Sequence, residues 1–159
     1  MSLRKDEKIE SKGNCYTLVI PGYNNPQLQR FHQEAVAYAG DSQGRSRVGK
    51  LVEFVHDEIK YDEETHRRFI SEKEVSLIRS LKLRKGVCKE KAAILSMLLQ
   101  MEGFPNEFRR GTFPTQGKRE RHAWVKVNVD DEPFLADPEQ LRFGKYDSVL
   151  RKNDYAEDK

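Results

Sequence analysis

The sequence predicts an α+β fold, with N-terminal helices packed on a small antiparallel sheet supplied by the C-terminal half. Three observations carry this. Apolar residues recur at helical spacing in several runs up to Leu99. From Arg121 onward they alternate with period two, and turn residues punctuate that half at short intervals. With 159 residues, 36% hydrophobic and 35% charged, the chain reads as one domain, residues 1–159. A domain of that size buries roughly 70% of its unfolded surface and needs no disulfide staple.

Residues 1–14 are charged and expected to fray. Cys15–Ile20 reads as a short strand stopped by Pro21-Gly22. Asn25 is a capping residue with Pro26 in the first turn, and Leu28, Phe31, Ala35 and Ala39 follow at helical spacing until Gly40. A polar loop, Asp41–Ser46, leads to a second helix with Val48, Leu51, Val52, Val55 and Ile59 on one side. Residues 62–70 are charged and irregular. Ser71 and Glu74 form a capping box ahead of Val75, Ile78 and Leu81. The helix after Cys88 carries Ala92, Leu95, Leu98 and Leu99, widened by Ala93 and Ile94, which is the pattern of a helix buried in the core. Glu107–Gly111 reads as a strand and Thr112–Glu120 as a polar loop. Arg121–Val129 and Pro133–Asp137 then form a hairpin around Asp130-Asp131.

Within that hairpin the alternation puts Ala123, Val125, Val127 and Val129 on one face, and His122, Trp124, Lys126 and Asn128 on the other. A two-residue loop at Asp130-Asp131 sets Asp137 opposite Trp124 and diagonal to His122. Diagonal neighbours lie roughly 7–8 Å apart, a gap that His and Asp side chains close. An odd loop without a bulge would separate them.

Cys88, at the start of a helix, completes a candidate catalytic set with His122 and Asp137. An ordinary thiol ionises near ~8.5, so a thiol nucleophile needs help at neutral pH. A helix N-terminus offers the positive end of the dipole and unpaired N–H groups. His122 would stabilise the thiolate, and Asp137 would orient the imidazole. The backbone N–H of Cys88 is a candidate oxyanion donor, and Tyr61 and Trp124 are candidates for a second donor or for lining the cleft. Taken singly, each residue has a plainer reading: a buried Cys as a small hydrophobe, a His as a surface residue, Asp-Pro as a turn. Their joint register favours the site. Cys15, Glu90, His32, His56 and His66 read as structural or surface residues.

Two cysteines without CxxC spacing make neither a disulfide framework nor a zinc site, so no metal and no cofactor are expected. No run approaches the ~18 apolar residues of a membrane span. The charged segment Met1–Lys12 lacks the apolar stretch of a signal peptide, so a cytoplasmic protein with no membrane partner is expected. The net charge of +3 is unevenly spread. Segment 82–91 carries Lys82, Arg84, Lys85, Lys89 and Lys91 against Glu90 alone. Segment 109–126 carries Arg109, Arg110, Lys118, Arg119, Arg121 and Lys126 against Glu120 alone. An anionic peptide or protein substrate is favoured there, while nucleic acid is not expected; a solvated basic surface is the alternative.

The residues Arg84-Lys85-Gly86-Val87-Cys88 with Ala92, His122-Ala123-Trp124, and Leu135-Ala136-Asp137-Pro138 resemble the nucleophile, histidine and aspartate motifs of the transglutaminase-like superfamily, a branch of the papain-like thiol enzymes. Val52–Val55 through Ile59–Asp62 resembles the helix preceding the core in bacterial and archaeal members, and Gly103-Phe104-Pro105 the break after the nucleophile helix. The resemblance covers about residues 45–140, with an N-terminal extension 1–44 and a charged C-terminal tail 141–159 outside it. It implies a papain-like cysteine-protease/transglutaminase core, with Cys88 as nucleophile, His122 as general base and acid, and Asp137 as orienter. Members cross-link Gln to Lys, hydrolyse peptides or amides, or remove glycans from Asn, all through thiol attack and a covalent intermediate. The extra domains of the animal cross-linking enzymes and the zinc cysteines of the glycanases have no counterpart here. Hydrolysis of a peptide or amide bond is therefore the expectation. A protein-glutamine cross-linking enzyme, or a non-catalytic module binding an anionic partner through a basic cleft, are the alternatives.

Overall fold

The computed structural model describes residues 8–10, 17–64, 67 and 74–158. Cys15, His66 and Ser71 lie outside them. Helix α1 (Pro26–Ala39) begins as its sequence dictates: the Asn25 side chain accepts from the backbone N–H groups of Gln27 and Leu28 at 2.9 and 3.2 Å. Helix α2 (Gly44–Glu58) starts inside the expected loop Asp41–Ser46. The reason is Arg47, which donates to the carbonyls of Gly40 and Ser42 at 3.0 and 3.2 Å and so satisfies polar groups that would otherwise need solvent. Leu28, Phe31 and Ala35 of α1 are buried together with Val48, Leu51, Val52 and Val55 of α2. Each large side chain so buried contributes about 1.5–3 kcal/mol.

Two small sheets brace the helices. Strands β1 (Lys8–Glu10), β2 (Thr17–Val19) and β4 (Glu74–Ser76) form one, with β2 and β4 parallel. Strands β3 (Lys60–Tyr61) and β5 (Lys85–Gly86) pair in parallel as the other. The expected capping box at Ser71 and Glu74 gives way here. Glu74 belongs to β4, Val75 is buried, and helix α3 (Leu77–Leu83) starts after Ser76. Pairing of β4 with β2 supplies the backbone partners that a helical turn would have supplied.

The main sheet is antiparallel, in the order β10-β6-β7-β8-β9, from β6 (Asn106–Thr115), β7 (Lys118–Val129), β8 (Glu132–Asp137), β9 (Arg142–Lys145) and β10 (Ala156–Glu157). The β7–β8 pairing matches Val125 with Ala136 and Asn128 with Pro133, so the two-residue loop at Asp130-Asp131 is observed, both residues at positive φ (52° and 63°). Thr112–Glu120, expected as a polar loop, instead continues the β6–β7 hairpin to a second two-residue turn, Gln116-Gly117, at φ 49° and 78°. Pro114 is tolerated because β10 pairs with β6 only at Gly111 and Thr112, leaving the edge beyond open. The charged segment 141–159 is likewise no loose tail. Through residue 158 it forms β9, helix α5 (Tyr146–Lys152) and β10, which closes the sheet edge.

Helix α4 (Cys88–Met101) is buried along all of Lys89–Leu99 and packs on the Ala123/Val125/Val127 face of β7. The opposite sheet face carries a second cluster of Phe113, Trp124, Leu135, Tyr146 and Tyr155. One polar lock ties α4 to β6: Ser96 donates to Asn106 at 2.5 Å, and the Asn106 amide donates to the carbonyls of Ser96 and Phe104 at 3.2 and 3.0 Å. Asn106→Ala removes these buried hydrogen bonds and should lower unfolding stability by about 1–3 kcal/mol in urea denaturation. A change within 0.3 kcal/mol, as an order-of-magnitude bound, would show the lock to be dispensable. No helix among the described residues is long and apolar enough to cross a membrane.

Candidate active site

Cys88 is the first residue of α4, held there by the β3–β5 pairing that ends at Gly86. Val87 stands at the N-cap and makes no side-chain cap bond, so the first-turn N–H groups receive no acceptor from it. The thiol is free and half-buried. His122, on β7, is 2% exposed; its Nε2 lies 2.6 Å from Asp137 Oδ2, and the Cys88 thiol is close enough to act on its proton. With Nε2 on the carboxylate, Nδ1 is the nitrogen left for sulfur. The structure thus brings together Cys88, His122 and Asp137.

Burial alone would drive the imidazole towards neutrality. The hydrogen bonds to Asp137 and Cys88 and their charges outweigh it, and the His122 pKa is raised to about 10. Asp137 is fully buried, and four donors surround it. The backbone N–H groups of Glu139 and Gln140 reach Oδ1 at 3.1 Å each, while His122 and the Tyr155 hydroxyl share Oδ2, the latter at 2.5 Å. An ionised carboxylate has about four acceptor sites, and all are used. Phe113 lies under the imidazole at 4.2 Å between ring centroids, and Tyr155 meets its edge at 5.9 Å. His56, a packing residue, donates from Nδ1 to the Pro138 carbonyl at 2.7 Å and steadies the Asp137 loop from α2.

Cys88 and His122 open into a cleft of about 230 Å³ whose walls include Tyr61, Lys89, Phe113, Glu120, Arg121 and Glu139. Tyr61 lines this cleft and is 57% exposed. Trp124 does not. Its ring is fully buried, and its indole N–H donates to the Tyr146 hydroxyl at 3.0 Å, so it has no donor to offer an oxyanion. The face predicted for it is right, but the second cluster covers that face. Lys89 is 4% exposed, and its pKa is lowered, first by burial and then by the charges of Arg121 and Arg110, against opposing pulls from Cys88 and Glu90.

Many of the basic residues that crowd these segments find acidic partners: Lys85 with Asp62 at 3.3 Å, Lys91 with Glu139 at 2.9 Å, Arg119 with Asp154 at 3.0 Å, and Arg121 with Asp158. Phe113 and Tyr155 are site residues that sequence reasoning missed. Phe113 was hidden in the supposed loop, and Tyr155 in the supposed tail. An aromatic in an otherwise polar hairpin was the available signal for the first. Among the described residues no cluster of His, Cys, Asp and Glu is arranged to hold a metal ion.

The family model of the Transglutaminase-like superfamily matches residues 30–138. No curated protein is matched. Among solved structures, a candidate cysteine protease from Cytophaga hutchinsonii aligns with a TM-score of 0.61 at 14% identity, over 82% of this chain and 41% of its own. A TGase aligns at TM-score 0.54 and 18% identity, over 70% of this chain and 30% of its own. A candidate protease from Parabacteroides distasonis aligns at 0.50 and 15%, over 69% and 23%. The fold is therefore the papain-like α+β one, and this chain spans less than half the length of each of these proteins.

Proposed function

The chain belongs to the transglutaminase-like superfamily, and from that premise we propose that it is a thiol-dependent acyl-transfer enzyme that hydrolyses a peptide or amide bond through a thioester on Cys88. The observation that carries the reading is that Cys88 and His122 line one cleft, with His122 hydrogen-bonded behind it to the buried Asp137.

In this reading the imidazolium of His122 stabilises the Cys88 thiolate by charge. The sulfur adds to the substrate carbonyl, and the backbone N–H of Cys88, at an uncapped helix start, is aimed at the developing oxyanion. Nδ1 of His122 gives its proton to the departing amine as the C–N bond breaks, leaving the acyl group on sulfur. His122 then takes a proton from water as the water oxygen attacks the thioester, and the thiol is regenerated. Water is the simplest acceptor because Cys88 is half-buried at an open cleft and its thioester would be reached from solvent.

The test uses p-nitrophenyl acetate, an activated acyl donor that needs no knowledge of the natural substrate. A burst approaching one acyl group per protein, with mass spectrometry placing the acetyl on Cys88, is the expected result. Folded protein with no burst would overturn the enzyme reading and leave the binding-module alternative. Repeating the reaction with a glutamine-rich protein and a fluorescent primary amine separates the acceptors. Hydrolysis without amine incorporation fits the proposal, whereas efficient incorporation would replace it by cross-linking.

A further inference from the structure

Tyr155 lies beyond the region matched to the superfamily, in the loop between α5 and β10, yet it reaches the centre of the site. Its hydroxyl donates to Asp137 Oδ2 at 2.5 Å and accepts from Arg142 at 3.1 Å. Its ring packs against Phe113, His122 and Trp124, at centroid distances of 5.8, 5.9 and 5.0 Å. The oxygen it reaches is the one His122 uses. We infer that Tyr155 is a positioning residue: it shares the Asp137 oxygen with His122, and so sets both the direction of the imidazole and how tightly His122 holds its proton. The inference rests on the Cys88–His122–Asp137 reading above.

The surroundings are built to hold that hydroxyl in place. Gly111, opposite His122 on β6, leaves room for β10 and the Trp124 ring. A Cβ there would stand 2.0 Å from the Ala156 carbonyl oxygen and 2.7 Å from the Trp124 ring. Arg119 donates to the Asp154 carbonyl at 2.8 Å, and Arg121 pairs with Asp158, so the residues on both sides of Tyr155 are pinned to β7. The phenol itself stays protonated. Burial first, and then the Asp137 charge, hold its pKa well above the ordinary value, against the opposing pull of Arg142. A phenol that does not ionise is a constant donor, and the Arg142 cation on its oxygen strengthens the donation.

The electrostatic consequence has a sign. Every unit of carboxylate charge drawn to Tyr155 is unavailable to His122, so removing the hydroxyl leaves Asp137 a stronger partner for the imidazolium. His122 should then hold its proton to higher pH and deliver it less readily. The charged or titratable groups on this side are Asp137 from β8, Cys88 from α4, Tyr155 at the ring edge and Arg142 behind it from β9. Lys89 from α4, Glu120 and Arg121 from β7, and Glu139 line the cleft that the ring faces.

The experiment compares wild type with Tyr155→Phe, which keeps the ring, by NMR titration of the His122 imidazole and by turnover of p-nitrophenyl acetate. The variant should titrate about half a unit to one unit higher, and its kcat should fall about tenfold with KM within about twofold. A folded variant with titration and kcat unchanged, or titration displaced downward, would overturn the inference. If the wild-type His122 itself titrates near the ordinary histidine value, the triad reading fails instead, so the two failures are distinguishable. Should Tyr155→Phe not fold, Arg142→Gln keeps both ring and hydroxyl and removes the cation behind them. It should move the titration in the same direction by a smaller amount, and an unmoved titration there overturns the inference equally.

Discussion

Cys88→Ala should reduce acyl transfer by more than about a thousandfold while leaving the protein folded. Both halves of this expectation follow from position. The thiol is half-buried at the start of α4 and stands outside the hydrophobic clusters. Removing it creates no cavity in the main cluster, and His122 keeps Asp137 as its partner. Thermal or urea unfolding should therefore shift by no more than about 0.5 kcal/mol. Loss of activity alongside a comparable loss of structure would assign Cys88 to the core instead. Retained burst kinetics in Cys88→Ala would remove the nucleophile from the mechanism altogether.

Asp137→Asn should cost both activity and stability. The four donors that converge on Asp137 suit a carboxylate, whereas an amide would turn its own N–H groups towards at least one of them. Leaving the buried imidazolium without its counter-charge costs about 3–5 kcal/mol. Turnover should fall by about three to four orders of magnitude, as expected when the residue that orients a catalytic histidine is neutralised. The pH dependence carries its own signature. The His122 pKa stands at about 10 in the folded protein against an ordinary value of 6.5. Its contribution to stability is therefore complete below about pH 6.5 and fades as pH rises through about 10. In Asp137→Asn that dependence should largely disappear. Stability curves of variant and wild type that run parallel from pH 6 to pH 11, an approximate window, would contradict the assignment.

Much of this architecture was legible because local chemistry and tertiary structure agree. Asn25, Pro26 and Gly40 bound α1 as their caps require. The alternation along β7 and the two-residue turn at Asp130-Asp131 place His122 and Asp137 within reach, as the pairing of Val125 with Ala136 requires. Elsewhere the deciding contacts were distant in sequence. The capping box at Ser71 and Glu74 lost to the pairing of β4 with β2, which no local signal announces. Thr112–Glu120 looked like a loop because, Phe113 and Pro114 apart, the side chains at that hairpin end are polar or absent, so the period-two contrast vanishes even though the backbone stays extended. Trp124 was set on the correct face, but the Tyr146 hydroxyl that takes up its indole N–H arrives from α5. Tyr155 was the hardest to foresee, since its role exists only once Arg119, Arg121 and Gly111 have drawn residues 154–158 onto β6 and β7.

Strand β7 writes two texts on one backbone. Ala123, Val125, Val127 and Val129 belong to the main core, while His122 and Trp124 face the aromatic cluster around the triad. Substitutions at one parity bear on the main core, and those at the other on the aromatic cluster beside His122. A lineage built on this strand can retune the surroundings of His122 by changing alternate residues, without renegotiating the core that keeps the strand in register.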